Sequence, residues 1–202
     1  MKVVTIGRQF GSGGREFGRR LAEELGFDYY DKEILTEIAR KTSLSEEYVR
    51  QVVECKPHAL YPITVGNSFS AGYNATFSQA QVVYSAQSDI IKQLATKSNC
   101  VIIGRCADYI LRDEHPFRIF VYADDDSRVS RCFARADEQQ SELTRRQMTR
   151  RIKSIDKSRA RYYSFYTGLQ WGDKSNYDVM LNTSGQDIKQ LVSVFASLIK
   201  SL

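Results

Sequence analysis

The chain has 202 residues, of which 42% are hydrophobic and 26% charged, with a formal net charge of +5. That is enough for one sizeable core and marginal for two. The basic excess suits an anionic ligand but is too mild to require a nucleic acid polymer, and no apolar run approaches the ~18 residues of a membrane span.

Lys2-Val3-Val4-Thr5-Ile6 is short, apolar and β-branched, which predicts a buried parallel strand. The turn Gly7-Arg8-Gln9-Phe10-Gly11-Ser12-Gly13-Gly14 follows, and Arg15 to Leu25 reads as a helix with Phe17, Leu21 and Leu25 on one face. Strand, glycine turn and helix make a candidate phosphate cradle. The amides of Gly11, Ser12, Gly13 and Gly14 turn inward, the helix N-terminus adds partial positive charge, and Arg8 and Arg15 bring full charges. The loop is not the dinucleotide fingerprint, since Glu16 stands where the third glycine belongs. It is not a full Walker A either. With Gly13 as the final loop glycine, Arg8 replaces the first glycine and Gly14 the lysine, while Glu16 lies near the usual hydroxyl ligand of Mg²⁺. The bland alternative is a glycine-rich turn that binds nothing.

Phe27 to Tyr30 is a short second strand, and Asp31 then opens a helix carrying Ile34, Leu35, Ile38 and Ala39. Asp31 is either the helix N-cap or a carboxylate at a strand end facing the ligand cleft of an α/β protein. Ser43-Leu44-Ser45-Glu46 resembles a capping box and starts a helix to about Cys55. Lys56 to Ser78, with Pro57, Pro62, Gly66 and Gly72, reads as a loop or insertion whose aromatics serve a satellite core, an interface or a lid.

Gln79 to Lys97 is a long helix, Cys100 to Ile103 a buried strand ending in Gly104-Arg105-Cys106-Ala107-Asp108, and Phe117 to Tyr122 a fourth strand. Asp124-Asp125-Asp126 begins a helix to Ala136, three acids that favour the dipole. Glu142 to Tyr163 is a long basic helical stretch, Tyr177 to Leu181 the last strand, and Asp187 to Leu202 the closing helix. Strands alternate with helices, so the fold class is α/β with a mainly parallel sheet. Cys55, Cys100, Cys106 and Cys132 show no CxxC or metal spacing, and no signal-peptide pattern follows Met1; a cytoplasmic protein with reduced thiols is expected.

Arg105 and Asp31 end neighbouring strands and should face the same sheet edge as the glycine loop, one to grip a phosphate and one to receive a hydroxyl or amino group. Asp156-Lys157-Ser158-Arg159 puts an acid and an arginine on one helical face, where the acid can fix the arginine for a transferring phosphoryl group. A charge run of this kind is otherwise a solvated face.

The ordered set Gly11 to Glu16, Tyr30 to Ile34, Ile103-Gly104-Arg105, Asp156 to Arg159, Tyr162-Tyr163 through Gly168, Trp171-Gly172-Asp173 and Tyr177-Asp178 through Ser184 resembles the cytidylate kinase-like family. The resemblance implies a P-loop NTPase fold with a five-stranded parallel sheet in the order 2-3-1-4-5 flanked by helices. It implies one domain over residues 1–202, an acceptor-binding insertion about 31–98 and a helical lid about 138–168. It also implies ATP-dependent, Mg²⁺-assisted phosphoryl transfer to a small-molecule acceptor, a nucleoside monophosphate such as CMP, by a monomer or homodimer. By position, Arg8 and Gly11 to Glu16 hold the donor phosphates, and Asp31, Arg105 and Asp108 face the acceptor. Arg15, Arg151, Asp156 and Arg159 take the catalytic places, with Lys153 and Arg161 in the lid.

The chain departs from the family's kinases at the loop. They carry a lysine at the position of Gly14 and a serine or threonine at that of Glu16; Arg8 or Arg15 could supply the charge, and Glu16 could hold Mg²⁺ or pair with an arginine. They read Gly-Arg-Asp where this chain has Gly104-Arg105-Cys106. Two other functions compete: a nucleotide sensor without turnover, motivated by the absent lysine, and an NAD-type oxidoreductase, opposed by Glu16 and the basic stretch.

Overall fold

Five short segments, most of them rich in β-branched or aromatic residues, pair side by side into a sheet in the computed structural model, which describes residues 1–54, 71–135 and 143–201. They are β1 (Val3–Arg8), β2 (Asp28–Tyr30), β3 (Cys100–Ile103), β4 (Phe117–Tyr122) and β5 (Val179–Asn182). Their order is β2-β3-β1-β4-β5 and every pairing is parallel. Helices α1 (Gly14–Leu25), α2 (Glu33–Thr42), α3 (Glu46–Glu54), α4 (Ala71–Lys97), α5 (Ala107–Ile110), α6 (Asp125–Ala134), α7 (Arg145–Thr167) and α8 (Ile188–Ser201) cover it.

The two-residue alternation of the strands splits the core into two layers. Val4, Ile6, Val101 and Ile103 point to α1 and α8, while Val3, Cys100 and Ile102 point to α2, α3, α4 and the Tyr162–Tyr163 end of α7. Helix α1 lies close on the sheet because Gly18 has no side chain. A Cβ there would stand 2.4 Å from Ile103 Cδ1 and 2.8 Å from Ile6 Cδ1. A third, small cluster joins Val129 of α6 to Met148 and Ile152 of α7, with Phe10 of the glycine loop against it. Among the described residues no helix is long and apolar enough to cross a membrane.

Several boundaries differ from the sequence expectation. Strand β1 continues past Ile6 because Gly7 and Arg8 pair with Phe120 and Val121 of β4, so Arg8 belongs to the sheet and not to the turn. Asp31 does not cap α2: Lys32 holds that place and makes no side-chain cap bond, while the Asp31 carboxylate is drawn to arginines. Helix α4 begins at Ala71 instead of Gln79. The proline-bearing remainder of the expected loop lies outside the described residues. Helix α7 starts at Arg145 behind a Thr144–Gln147 capping box, and ends where Gly168 turns left-handed with φ 71°. The first part of the expected lid, 138–142, lies outside the described residues.

Replacing Gly18 by leucine should force α1 off the sheet. A loss of about 1–3 kcal/mol in unfolding free energy is expected from overpacking, measured by urea denaturation.

Candidate active site

The glycine loop links the end of β1 to the start of α1, and contacts from distant parts of the chain fix its path. The Phe10 amide donates to Asp156 Oδ1 at 2.8 Å, and Arg128 Nε donates to the Phe10 carbonyl at 2.8 Å. Arg128 also bonds the other oxygen of Asp156. Thr183 Oγ1 donates to the Ser12 carbonyl at 2.6 Å, with Arg131 Nη1 on the same carbonyl at 3.4 Å. Gln9 Oε1 accepts the Ala123 amide at 3.2 Å. Gly11 and Gly13 take φ of 77° and 84°, conformations that suit glycine, while the Ser12 amide donates to the Gln9 carbonyl and the Gly14 amide to Ser12 Oγ, both at 3.4 Å. The loop walls a cavity of about 290 Å³ together with Arg15, Arg131, Arg135 and Arg159.

A second, smaller cavity of about 50 Å³ opens on the other side of Arg8. Arg105, Asp108, Tyr162, Tyr163, Trp171 and Tyr177 line it, and Arg8 and Arg159 border both cavities. Gly104, Arg105 and Cys106 form a left-handed run with φ 65°, 60° and 54°. Two non-glycine residues in that region cost about 1–3 kcal/mol each and persist only when neighbours impose them. The buried Gln87 does so, its Nε2 donating to the Arg105 carbonyl at 2.9 Å while Tyr162 hydroxyl donates to its Oε1 at 3.3 Å. Tyr163 hydroxyl donates to Asp108 Oδ2 at 2.6 Å.

Charge is concentrated here. Asp31 Oδ2 accepts Arg15 Nε at 2.6 Å, and Oδ1 lies 3.8 Å from an Arg8 nitrogen. That Oδ1 is buried and accepts no hydrogen bond. Arg159 donates to the Arg8 carbonyl at 3.2 Å, stands 3.8 Å from Asp156, and lies over the Phe10 ring at 5.5 Å. Burial, then the positive fields of Arg159 and Arg105, push the Arg8 pKa well below its ordinary value, with Asp31 opposing. An arginine keeps its proton regardless.

The sequence-derived residues divide into three groups. Arg8, Gly11, Gly13, Gly14, Arg15 and Arg159 share the larger cavity, and Arg105 and Asp108 share the smaller. Ser12 is buried and turns its hydroxyl to the Gln9 carbonyl at 2.9 Å, so it shapes the loop. Asp31 sits behind Arg8, and Asp156 holds the loop and does not line either cavity. Arg151, Lys153 and Arg161 are on the exposed side of α7, with Lys153 paired to Asp125 at 3.0 Å. Sequence reasoning missed Arg128, Arg131, Thr183 and Gln87. The one available signal was a basic residue, Arg128, on the buried side of the predicted helix after Asp124.

Glu16 does not fit a Mg²⁺ ligand here. Its Oε1 accepts Arg20 Nε at 2.8 Å and its Oε2 bonds Arg135. Burial tends to raise its carboxyl, but these arginines prevail and hold it below the ordinary value. No group of three or more histidine, cysteine, aspartate or glutamate side chains is placed to hold a metal among the described residues. Phosphates, in contrast, fit a glycine loop at a helix N-terminus ringed by guanidiniums.

A five-stranded parallel sheet in the order 2-3-1-4-5 flanked by helices is a P-loop NTPase fold, shared with P-loop kinases such as shikimate kinase. The chain belongs to the cytidylate kinase-like family, whose model matches residues 3–185. A solved structure of an uncharacterized protein from Eubacterium ventriosum is similar over 100% of both chains, with 24% identity and a TM-score of 0.72. Shikimate kinase from Bacteroides thetaiotaomicron shares the fold at 14% identity, 98% coverage of each chain and a TM-score of 0.56. Shikimate kinase from Acinetobacter baumannii, solved with shikimate, does so at 15% identity, 99% of this chain, 93% of its own and a TM-score of 0.53. No curated protein matches the chain at a significant level.

Burial, chiefly, raises the Asp108 carboxyl above its ordinary value, with the Tyr163 hydrogen bond opposing. The folded protein therefore binds this proton more tightly than the unfolded chain, and stability falls as pH rises from about 3.9 through the raised value. Asp108→Asn, which keeps an acceptor for Tyr163 but no titrating group, should flatten that fall. Urea unfolding at a series of pH values checks this.

Proposed function

We propose that this protein transfers the γ-phosphoryl group of ATP to a small acceptor, and that the acceptor is a nucleoside monophosphate such as CMP. The observation that carries this reading is the meeting of two cavities at Arg8 and Arg159, one walled by the glycine loop and one by Arg105 and Asp108. Phosphoryl transfer needs a donor site and an acceptor site in line, with positive charge at the boundary and little water between them. The family supports a kinase of the nucleotide type.

In this reading the loop amides and the α1 N-terminus bind the donor phosphates. Arg159, steadied by Phe10, Asp156 and the Arg8 carbonyl, meets the charge spread over the transferring group. Arg105 takes an anionic group of the acceptor, and the Tyr163–Asp108 pair offers polar atoms beside it. An acceptor that brings its own phosphate also relieves the repulsion among Arg8, Arg105 and Arg159. Arg15 steadies Asp31 behind Arg8, while Arg151, Lys153 and Arg161 take no part in this reading.

Coupled ADP release with a panel of nucleoside monophosphates, sugars and small alcohols tests the reading. Stimulation by CMP or a related monophosphate is expected; folded protein that no acceptor stimulates refutes the kinase, and ATP binding without turnover moves it to a nucleotide sensor. Arg159→Met should lower turnover on the order of 10²–10³-fold with the fold retained, as losing one charged transition-state contact commonly does.

A further inference from the structure

A Walker A loop places glycine first and lysine last in G-x-x-x-x-G-K. Here the corresponding positions are Arg8 and Gly14, so cation and glycine have changed places. The two positions compete for one volume. A Cβ on Gly14 would stand 2.6 Å from Arg8 Cβ, closer than real contacts allow, and 3.2 Å from Arg8 Cγ, a tight contact. The far end of the same side chain crosses a second bare backbone, because a Cβ on Gly104 would lie 1.8 Å from Arg8 Nη1. Gly104 also has φ +65°, which brings it up under the guanidinium. The backbone beneath Arg8 is fixed by its pairing with Val121 and by Arg159 on its carbonyl. Arg15, the other cation of the loop, turns outward to Asp31 and is half-exposed.

We propose that Arg8 is the cation that grips the polyphosphate in this loop, doing so from the strand and not from the helix, and that Gly14 and Gly104 are positioning residues whose absent side chains admit it. The assignment rests on the kinase reading and adds the residue that replaces the lysine. It also changes the chemistry at that place. A lysine offers a point charge, whereas a guanidinium presents a planar fork of donors. Arg8 borders both cavities, and a fork of several donors suits the multiple oxygens of a polyphosphate.

The test uses the full chain, with isothermal titration of ATP and of inorganic tripolyphosphate alongside urea unfolding. Arg8→Met keeps the stem over both glycines and removes only the charge; it should weaken tripolyphosphate binding on the order of 10- to 100-fold without loss of fold. Gly14→Lys alone should lower stability, because its stem meets that of Arg8. The exchange Arg8→Gly with Gly14→Lys should recover stability and binding together, which a merely structural role for Gly14 does not predict. Binding that survives Arg8→Met overturns the assignment while leaving the kinase reading intact. Gly14→Lys as stable as the parent overturns the shared-volume argument. Parent protein that binds neither ligand overturns the kinase reading and this assignment with it.

Discussion

A guanidinium at the end of a central strand has little access to water, and its surroundings must supply what water would. Arg8 meets this constraint with one buried carboxylate, Asp31, and with two glycines that let it lie flat against backbone. The remaining neighbours, Arg105 and Arg159, add repulsion. Removing charge from water is costly unless it is paired, which is why the buried Asp31 carboxylate matters to this guanidinium. The left-handed run at Gly104–Cys106, the bend of the loop and the position of α7 all serve that arrangement.

The loop itself is held mostly from outside. Asp156 and Arg128 fix Phe10, while Thr183 and Arg131 fix Ser12, and these residues come from α7, α6 and the end of β5. Each bond satisfies a backbone group that a tight glycine turn would otherwise leave to solvent. Such fastening suits electrostatic preorganisation, in which donors already point where charge will gather. It also gives the basic stretch a divided character. Lys153 and Arg145 pair with surface acids, whereas Arg159 turns inward to the loop.

Much of the fold was legible because its signals are local. β-branched runs marked the strands, a glycine turn followed the first, and apolar residues at helical spacing marked the helices between. The parallel order 2-3-1-4-5 came through the family resemblance, and the sheet has it. The site was legible by type more than by partner. Arg105, Asp31 and the glycine loop do sit at one sheet edge, but the pairing of Glu16 with Arg135 spans 119 positions and that of Arg128 with Asp156 spans 28. No window-based reading registers such contacts. Asp31 was left open between two readings for the same reason: an acid before a helix looks like a cap, and the arginines that draw it away are distant in sequence. Arg8 looked like turn because β1 keeps its ladder with β4 for two residues beyond the apolar run.

Helix α7 carries Asp156, Arg159, Tyr162 and Tyr163 along one stripe. The first fastens the glycine loop, the second borders both cavities, and the last two line the smaller one. A rod with three such attachments acts as a common ruler: the spacing along it between the loop and the two cavities is set by helical rise, at about 1.5 Å per residue. Sliding or tilting this rod would shift both cavities together. Change in the smaller cavity at fixed spacing therefore falls to the outline of side chains such as Tyr162, Tyr163 and Trp171.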